Sequence, residues 1–194
     1  MNETGAIRLI AGLGNAGPRY QQTRHNTGFW FVDALMRAHN GHFHVEPKFD
    51  GEAGCIGIAS SNVWLFKPGA FMNRSGRPLR SICAFYKIPL SDVLVVHDEV
   101  DLPPGVVRLK RGGGHGGHNG LREIFTHLGQ NFWRLRLGVG HPGHKDKVVD
   151  YVLSAPGMEE RQVILDGMDK ALAVVPRLIK GEFERAMHQL HTAK

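Results

Sequence analysis

Two polar clusters hold side chains able to do acid–base chemistry on a substrate. Arg24-His25-Asn26 lies in a polar stretch beside a glycine turn, and an imidazole there can act as a general base because its ordinary pKa lies near neutrality. With twelve histidines in the chain, one alone carries little weight. The second cluster, His97-Asp98-Glu99-Val100-Asp101, follows the apolar run Asp92 to Val96 and supplies a carboxylate that can receive an imidazole N–H and orient the ring. Phe71 to Gly76 (FMNRSG) places Asn73 ahead of a helix, where its amide either caps the helix or serves a ligand. Gly112 to Gly120 (GGGHGGHNG) sets His118 and Asn119 at another helix start. Its glycines let an anion or a substrate backbone approach peptide N–H groups. His115 and His118 form an i, i+3 pair that raises zinc, but no third ligand follows at the usual spacing.

The loop Gly12 to Gly17 (GLGNAG) has dinucleotide-type glycine spacing. However, Pro18 follows it, the polar stretch Arg19 to Asn26 separates it from the next helix, and no acidic residue stands on a second parallel strand about twenty residues on. A tight turn with close backbone approach is the simpler reading. Cations gather near the longer glycine run: Arg108, Lys110 and Arg111 before it, then Arg134 and Arg136, then Lys145 and Lys147. A period of two puts Arg108 with Lys110, and Arg134 with Arg136, on one face of their strands, as a phosphate-binding edge requires. The net charge of +6 points to an anionic partner without separating nucleic acid from a membrane surface or an acidic metabolite.

These residues need a scaffold, and the apolar pattern describes one. Ile7 to Leu13 reads as a buried strand, and Thr27 as the cap of a helix with Phe29, Val32, Leu35 and Met36 on its inner face. A loop spans Gly41 to Lys48. Ala53 to Ser60 and Val63 to Phe66 form a hairpin, and Asn73 or Ser75 caps a helix that Pro89 closes. Asp92 to Val96, Val106 to Leu109 and Leu135 to Gly140 are strands, Leu121 to Leu128 is a helix, and from Met158 onward the chain is helical with an interruption at Pro176. The 194 residues, 42% hydrophobic and 22% charged, read as one α/β domain over residues 1–194 with a helical C-terminal end. Cys55 and Cys83 suggest neither a disulfide framework nor a thiolate metal site. No apolar run approaches the roughly 18 residues of a membrane helix, and no secretory signal opens the chain, which makes the cytoplasm the default.

Taken in order, GLGN (Gly12 to Asn15), TRHN (Thr23 to Asn26), FMNRSG, VVHDEVDLPPG (Val95 to Gly105), GGGHGGHNG and RLRLGVGHPG (Arg134 to Gly143) strongly resemble the bacterial-type peptidyl-tRNA hydrolases. The resemblance implies a monomeric α/β fold with a mixed, twisted central sheet flanked by helices. It also implies an esterase without metal or cofactor that cleaves peptide from the terminal ribose of peptidyl-tRNA and frees the tRNA for reuse. By motif it makes His25 the base that activates water and Asp98 its orienting carboxylate. Asn15, Asn73 and Asn119 then bind the peptide and the reacting carbonyl, with discrimination against aminoacyl-tRNA assigned to Asn15. Tyr20 and Phe71 line the substrate groove with Met72 beside them, and Arg108, Lys110, Arg136 and Lys145 meet tRNA phosphates. Ala16 and Arg74 depart from the family pattern, which puts loop rigidity and local charge in question but spares the catalytic side chains. Two rivals account for part of the pattern. A non-catalytic RNA-binding module explains the charge but leaves His25 and Asp98 without work, and a nucleotide-binding enzyme would use the Gly12 loop.

Overall fold

In the computed structural model, which describes residues 5–69 and 71–192, the run from Asp92 becomes β5 (Val93–Glu99) and is buried from Val93 through Asp98. Its neighbours are β1 (Leu9–Gly12), β2 (His44–Glu46), β3 (Gly51–Ile58), β4 (Ser61–Pro68), β6 (Val107–Arg111) and β7 (Trp133–Gly138). They make one mixed seven-stranded sheet in the order β2-β3-β4-β1-β5-β7-β6. Strands β4, β1, β5 and β7 run parallel, while β2, β3 and β6 add antiparallel edges. Side chains alternate across the sheet. Leu94 and Val96 enter one core with α1 (Thr27–Ala38), α5 (Met158–Leu172), α6 (Val175–Ile179) and α7 (Phe183–Thr192). Val93 and Val95 enter a second core with α2 (Gly76–Phe85) and α3 (Asn119–Leu128). A strand with both faces covered has no polar position to spare, which explains its unbroken apolar run.

Several local expectations change. Helix α1 buries Phe31, with Val32, Leu35 and Met36, and leaves Phe29 half-buried. Gly28 sets that phase: a Cβ there would overlap the Val96 carbonyl and lie 2.5 Å from Leu13 N, so the helix can meet the sheet only along the stripe containing Gly28. Thr27 lies inside the helix rather than capping it, and the cap position falls to Asn26, whose side chain makes no cap bond. Ser75 stands at the N-cap position of α2, but its hydroxyl donates to the Met72 carbonyl, so neither Ser75 nor Asn73 caps the helix. The β3–β4 hairpin turns at Ala59 and Ser60, both at positive φ (50° and 65°), one step earlier than the Ser60-Ser61-Asn62 turn that the two expected strands imply. The loop expected from Gly41 to Lys48 contains the short edge strand β2, which has no apolar alternation to reveal it. Pro176 does end the long helix: α5 stops at Leu172, and α6 restarts with proline in its first turn.

Candidate active site

The four parallel strands end at one edge, and the chain leaving each carries part of the site. After β1 comes Asn15, after β4 the turn Phe71 to Asn73, at the end of β5 Asp98, and beyond β7 Lys145. Together they line a groove with a cavity volume of about 870 Å³. Into it also come Tyr20 and His25 from the two short 3-10 turns before α1, and His118 and Asn119 from the start of α3.

Asp98 organises the floor of this groove. His25 Nδ1 lies 2.9 and 3.0 Å from its two carboxylate oxygens, and His118 Nε2 lies 2.9 Å from Oδ1. An ionised carboxylate only accepts, so both nitrogens carry protons. His118 is held in that tautomer from its other side, because Leu121 N–H donates to its Nδ1 at 3.3 Å. With Nδ1–H committed to Asp98, neutral His25 has its lone pair on Nε2. Burial works against the charge on Asp98, but His25 and His118 outweigh it and hold the carboxyl well below the ordinary carboxylate range. Burial likewise opposes charge on His25, yet the Asp98 charge and hydrogen bond prevail and raise its pKa above the ordinary 6.5. His97 lies behind His118, with ring centroids 5.0 Å apart, and its Nδ1–H donates to the Asp98 carbonyl at 2.7 Å. Burial, with His118 nearby, pushes its pKa down to about 3, so its ring stays neutral.

The nitrogens of His25 and His118 and an Asp98 oxygen lie within 4.8 Å of one another, close enough for a metal to bridge them. Their hydrogen-bond roles do not suit one. A ring ligating through Nε2 has its proton on Nδ1, where His118 already accepts the Leu121 N–H. His115, the other half of the zinc-like pair, turns elsewhere: its Nδ1 accepts the Gly117 N–H and its ring lies against Phe125.

Asn15 is held on three sides. Asn26 clasps its backbone, accepting from the Asn15 N–H and donating to the Asn15 carbonyl, both at 2.9 Å. Its side-chain oxygen accepts the Met72 N–H at 2.7 Å, which orients the amide and leaves its NH₂ as the donor end. Tyr20 and Phe71 meet edge to face, centroids 6.3 Å apart, and Asn73 and Asn119 are both exposed along the groove. Met72 is buried beneath them. Ser75 offers no nucleophile, since it is fully buried with its hydroxyl committed to the Met72 carbonyl.

Of the four phosphate-binding candidates only Lys145 lines the groove. Arg108 pairs in register with Arg136, and Lys110 with Arg134, so the four cations share one face of β6 and β7. Arg136 also bonds Glu99, a groove residue, at 2.9 Å. Arg134 is buried and donates to the carbonyls of Gly112, Gly113 and Gly114, anchoring the glycine loop. Three positions escaped the sequence reading: His118 as a second partner of Asp98, Asn26 as the clasp on Asn15, and buried Arg24. All three lie within the motifs read above, but the partners that give them work are 11 to 136 residues away.

A family model described as peptidyl-tRNA hydrolase matches residues 9–194. Among curated relatives, the peptidyl-tRNA hydrolase of Methylobacillus flagellatus is 53% identical over 187 residues, covering 96% of this chain and 97% of the relative. That of Halorhodospira halophila is 54% identical over 188 residues, with 96% and 97% covered. The crystal structure of peptidyl-tRNA hydrolase from Acinetobacter baumannii superposes with a TM-score of 0.95 at 46% identity, covering 97% of this chain and 96% of that one. With the family model, the curated relatives and the superposed crystal structure all in agreement, the chain belongs to the family of peptidyl-tRNA hydrolases, enzymes that hydrolyse peptidyl-tRNA.

Proposed function

We propose that the protein cleaves the ester between the peptide and the terminal ribose of tRNA with His25 as general base, Asp98 orienting it and His118 fixing Asp98. The observation that carries this reading is the shared carboxylate: with N–H donors from both rings on Asp98, His25 keeps Nε2 free at the groove. A water there gives its proton to Nε2 while its oxygen attacks the ester carbonyl. The imidazolium that forms is stabilised by Asp98. The amides of Asn73 and Asn119 supply donors to the oxyanion, and collapse expels the ribose oxygen, which takes the proton back from His25. No metal enters these steps.

The NH₂ of Asn15 meets the amide carbonyl on the α-nitrogen that peptidyl-tRNA has and aminoacyl-tRNA lacks, and a donor end disfavours a free ammonium. Arg108, Lys110, Arg136 and Lys145 contact tRNA phosphates. A non-catalytic RNA-binding module offers no reason to bury an Asp98 carboxylate between two imidazoles. His25→Ala is expected to lower kcat by roughly 10² to 10⁴, the range for loss of a general base, with tRNA affinity largely kept. Near-normal turnover on labelled peptidyl-tRNA would remove His25 from this role.

A further inference from the structure

We propose that Arg24 is a positioning residue that ties the apolar wall of the groove to the turn carrying His25, so that an acyl chain resting on the wall is felt at the base. Arg24 immediately precedes His25, and it is only 6% exposed. Its guanidinium forks onto Glu160 through Nε and Nη2, both at 2.8 Å. Nη1 donates to Ser154 Oγ at 2.7 Å and to the Tyr151 and Ser154 carbonyls at 3.2 Å, and the group lies 4.0 Å from the centre of the Tyr151 ring. The backbone joins in, since Arg24 N–H donates to the Ser154 carbonyl at 3.1 Å.

The segment held in this way is a wall of the groove. Val148, Val149 and Val152 of α4 (Val148–Val152), with Leu153, line it, as do the rings of Tyr20 and Phe71. Val149 is 60% and Phe71 54% exposed, large apolar side chains with no protein partner over much of their surface. Helix α4 has little of its own to hold it. It is five residues long and buries only Val152, so its place depends on the Tyr151 and Ser154 contacts around Arg24. Tyr151 extends the linkage to the sheet by donating its hydroxyl to the Val139 carbonyl at 2.7 Å. A planar fork with five donors is needed for so many acceptors at once, which lysine cannot supply. On this proposal an acyl chain of several residues rests on the wall, and a single acetylated residue is too short to cover it.

This inference rests on the groove holding the acyl chain as proposed above, and the test separates the two. We would measure kcat and KM for one tRNA carrying either a single N-acetylated residue or an N-acetylated apolar tetrapeptide. The parent, Arg24→Lys and Glu160→Gln would be compared, with folding checked by circular dichroism and thermal melting. The parent is expected to favour the longer chain. Arg24→Lys should cut that preference about tenfold through both a higher KM and a lower kcat for the long substrate, and Glu160→Gln, which keeps the Ser154 contacts, about threefold. Equal losses on both substrates would reduce Arg24 to scaffold and overturn the inference, as would an unchanged preference in both variants. Glu160→Gln carries the test alone if Arg24→Lys melts. A parent indifferent to chain length would sink the groove assignment together with the inference, whereas a preference that survives both variants sinks only the role of Arg24.

Discussion

At the scale of the residue, with His25 as the proposed base, one proton on it serves stability and opposes catalysis. A base must be neutral, so kcat should rise with pH through the His25 pKa, which Asp98 holds above 6.5 despite burial. His97, pushed down to about 3, does not titrate across that range. Asp98→Asn removes the charge that raises His25 and leaves the burial that lowers it, so the acid limb of kcat should move to lower pH while the plateau falls. A pH–rate profile of both proteins on one peptidyl-tRNA checks this, and an unmoved limb would mean that another group titrates. The stability effect has the opposite sign. A histidine whose folded pKa exceeds its unfolded value contributes stability that is fully present below the unfolded value and is lost as pH rises through the folded one. On the proposed mechanism the groove is therefore expected to become active as the His25–Asp98 ion pair stops contributing to the fold.

At the scale of the element, α2 and α3 start side by side and interlock through glycines. The Gly76 N–H donates to the Glu123 carboxylate, and a Cβ on Gly76 would overlap the Glu123 backbone carbonyl and lie 2.5 Å from its Oε2. In return, a Cβ on Gly120 would lie 2.6 Å from Met72 Sδ. Asn73 stands just before α2 and Asn119 opens α3, so this contact sets the separation of the two amides along the groove. A methyl group at Gly76 meets backbone, which cannot swing aside. Gly76→Ala should therefore cost about 1–3 kcal/mol, the usual penalty of overpacking, and raise KM as the helix starts part. Urea denaturation and steady-state kinetics on the same variant test both halves. A fully stable variant with unchanged KM would show that the two helices can separate freely.

At the scale of the whole molecule, part of the positive charge behind the +6 balance sits where it costs the fold something. Arg108 opposite Arg136, and Lys110 opposite Arg134, are like charges in direct cross-strand register, an arrangement that is destabilising until an anion neutralises it. If Arg108, Lys110, Arg136 and Lys145 each meet a phosphate, the log–log dependence of tRNA affinity on salt should have a slope near −3, at about −0.7 to −0.9 per contact. Exchanging Lys110 or Lys145 for Gln should flatten it by about 0.7 to 0.9. Arg136 already spends part of its charge on Glu99, so its replacement should flatten the slope less. Slopes unchanged in all of these variants would move the tRNA surface elsewhere.

Much of this protein is legible in its residues because the signals are local. The unbroken apolar run of β5, the helical period of α5 and the break at Pro176 each follow from neighbouring side chains, and the ordered motifs identify His25, Asp98 and the three asparagines as a set. Strand β2 was not legible, since three residues at an edge, none of them buried, carry no pattern. On α1, Val32, Leu35 and Met36 were legible, but not the burial of Phe31 in place of Phe29, which the close approach of Gly28 to Val96 decides. The site's working details belong to the tertiary structure alone. Asp98 is shared by His25 from 73 residues before it and His118 from 20 after, and only the fold removes it from water so that two imidazole N–H donors must satisfy it. The free end of the Asn15 amide depends on a backbone N–H from 57 residues away, and the work of Arg24 on a glutamate 136 residues away. A sequence displays which groups a chain owns, but a hydrogen bond depends on distance and direction in space, so which group each one faces was settled only when the strand ends came together.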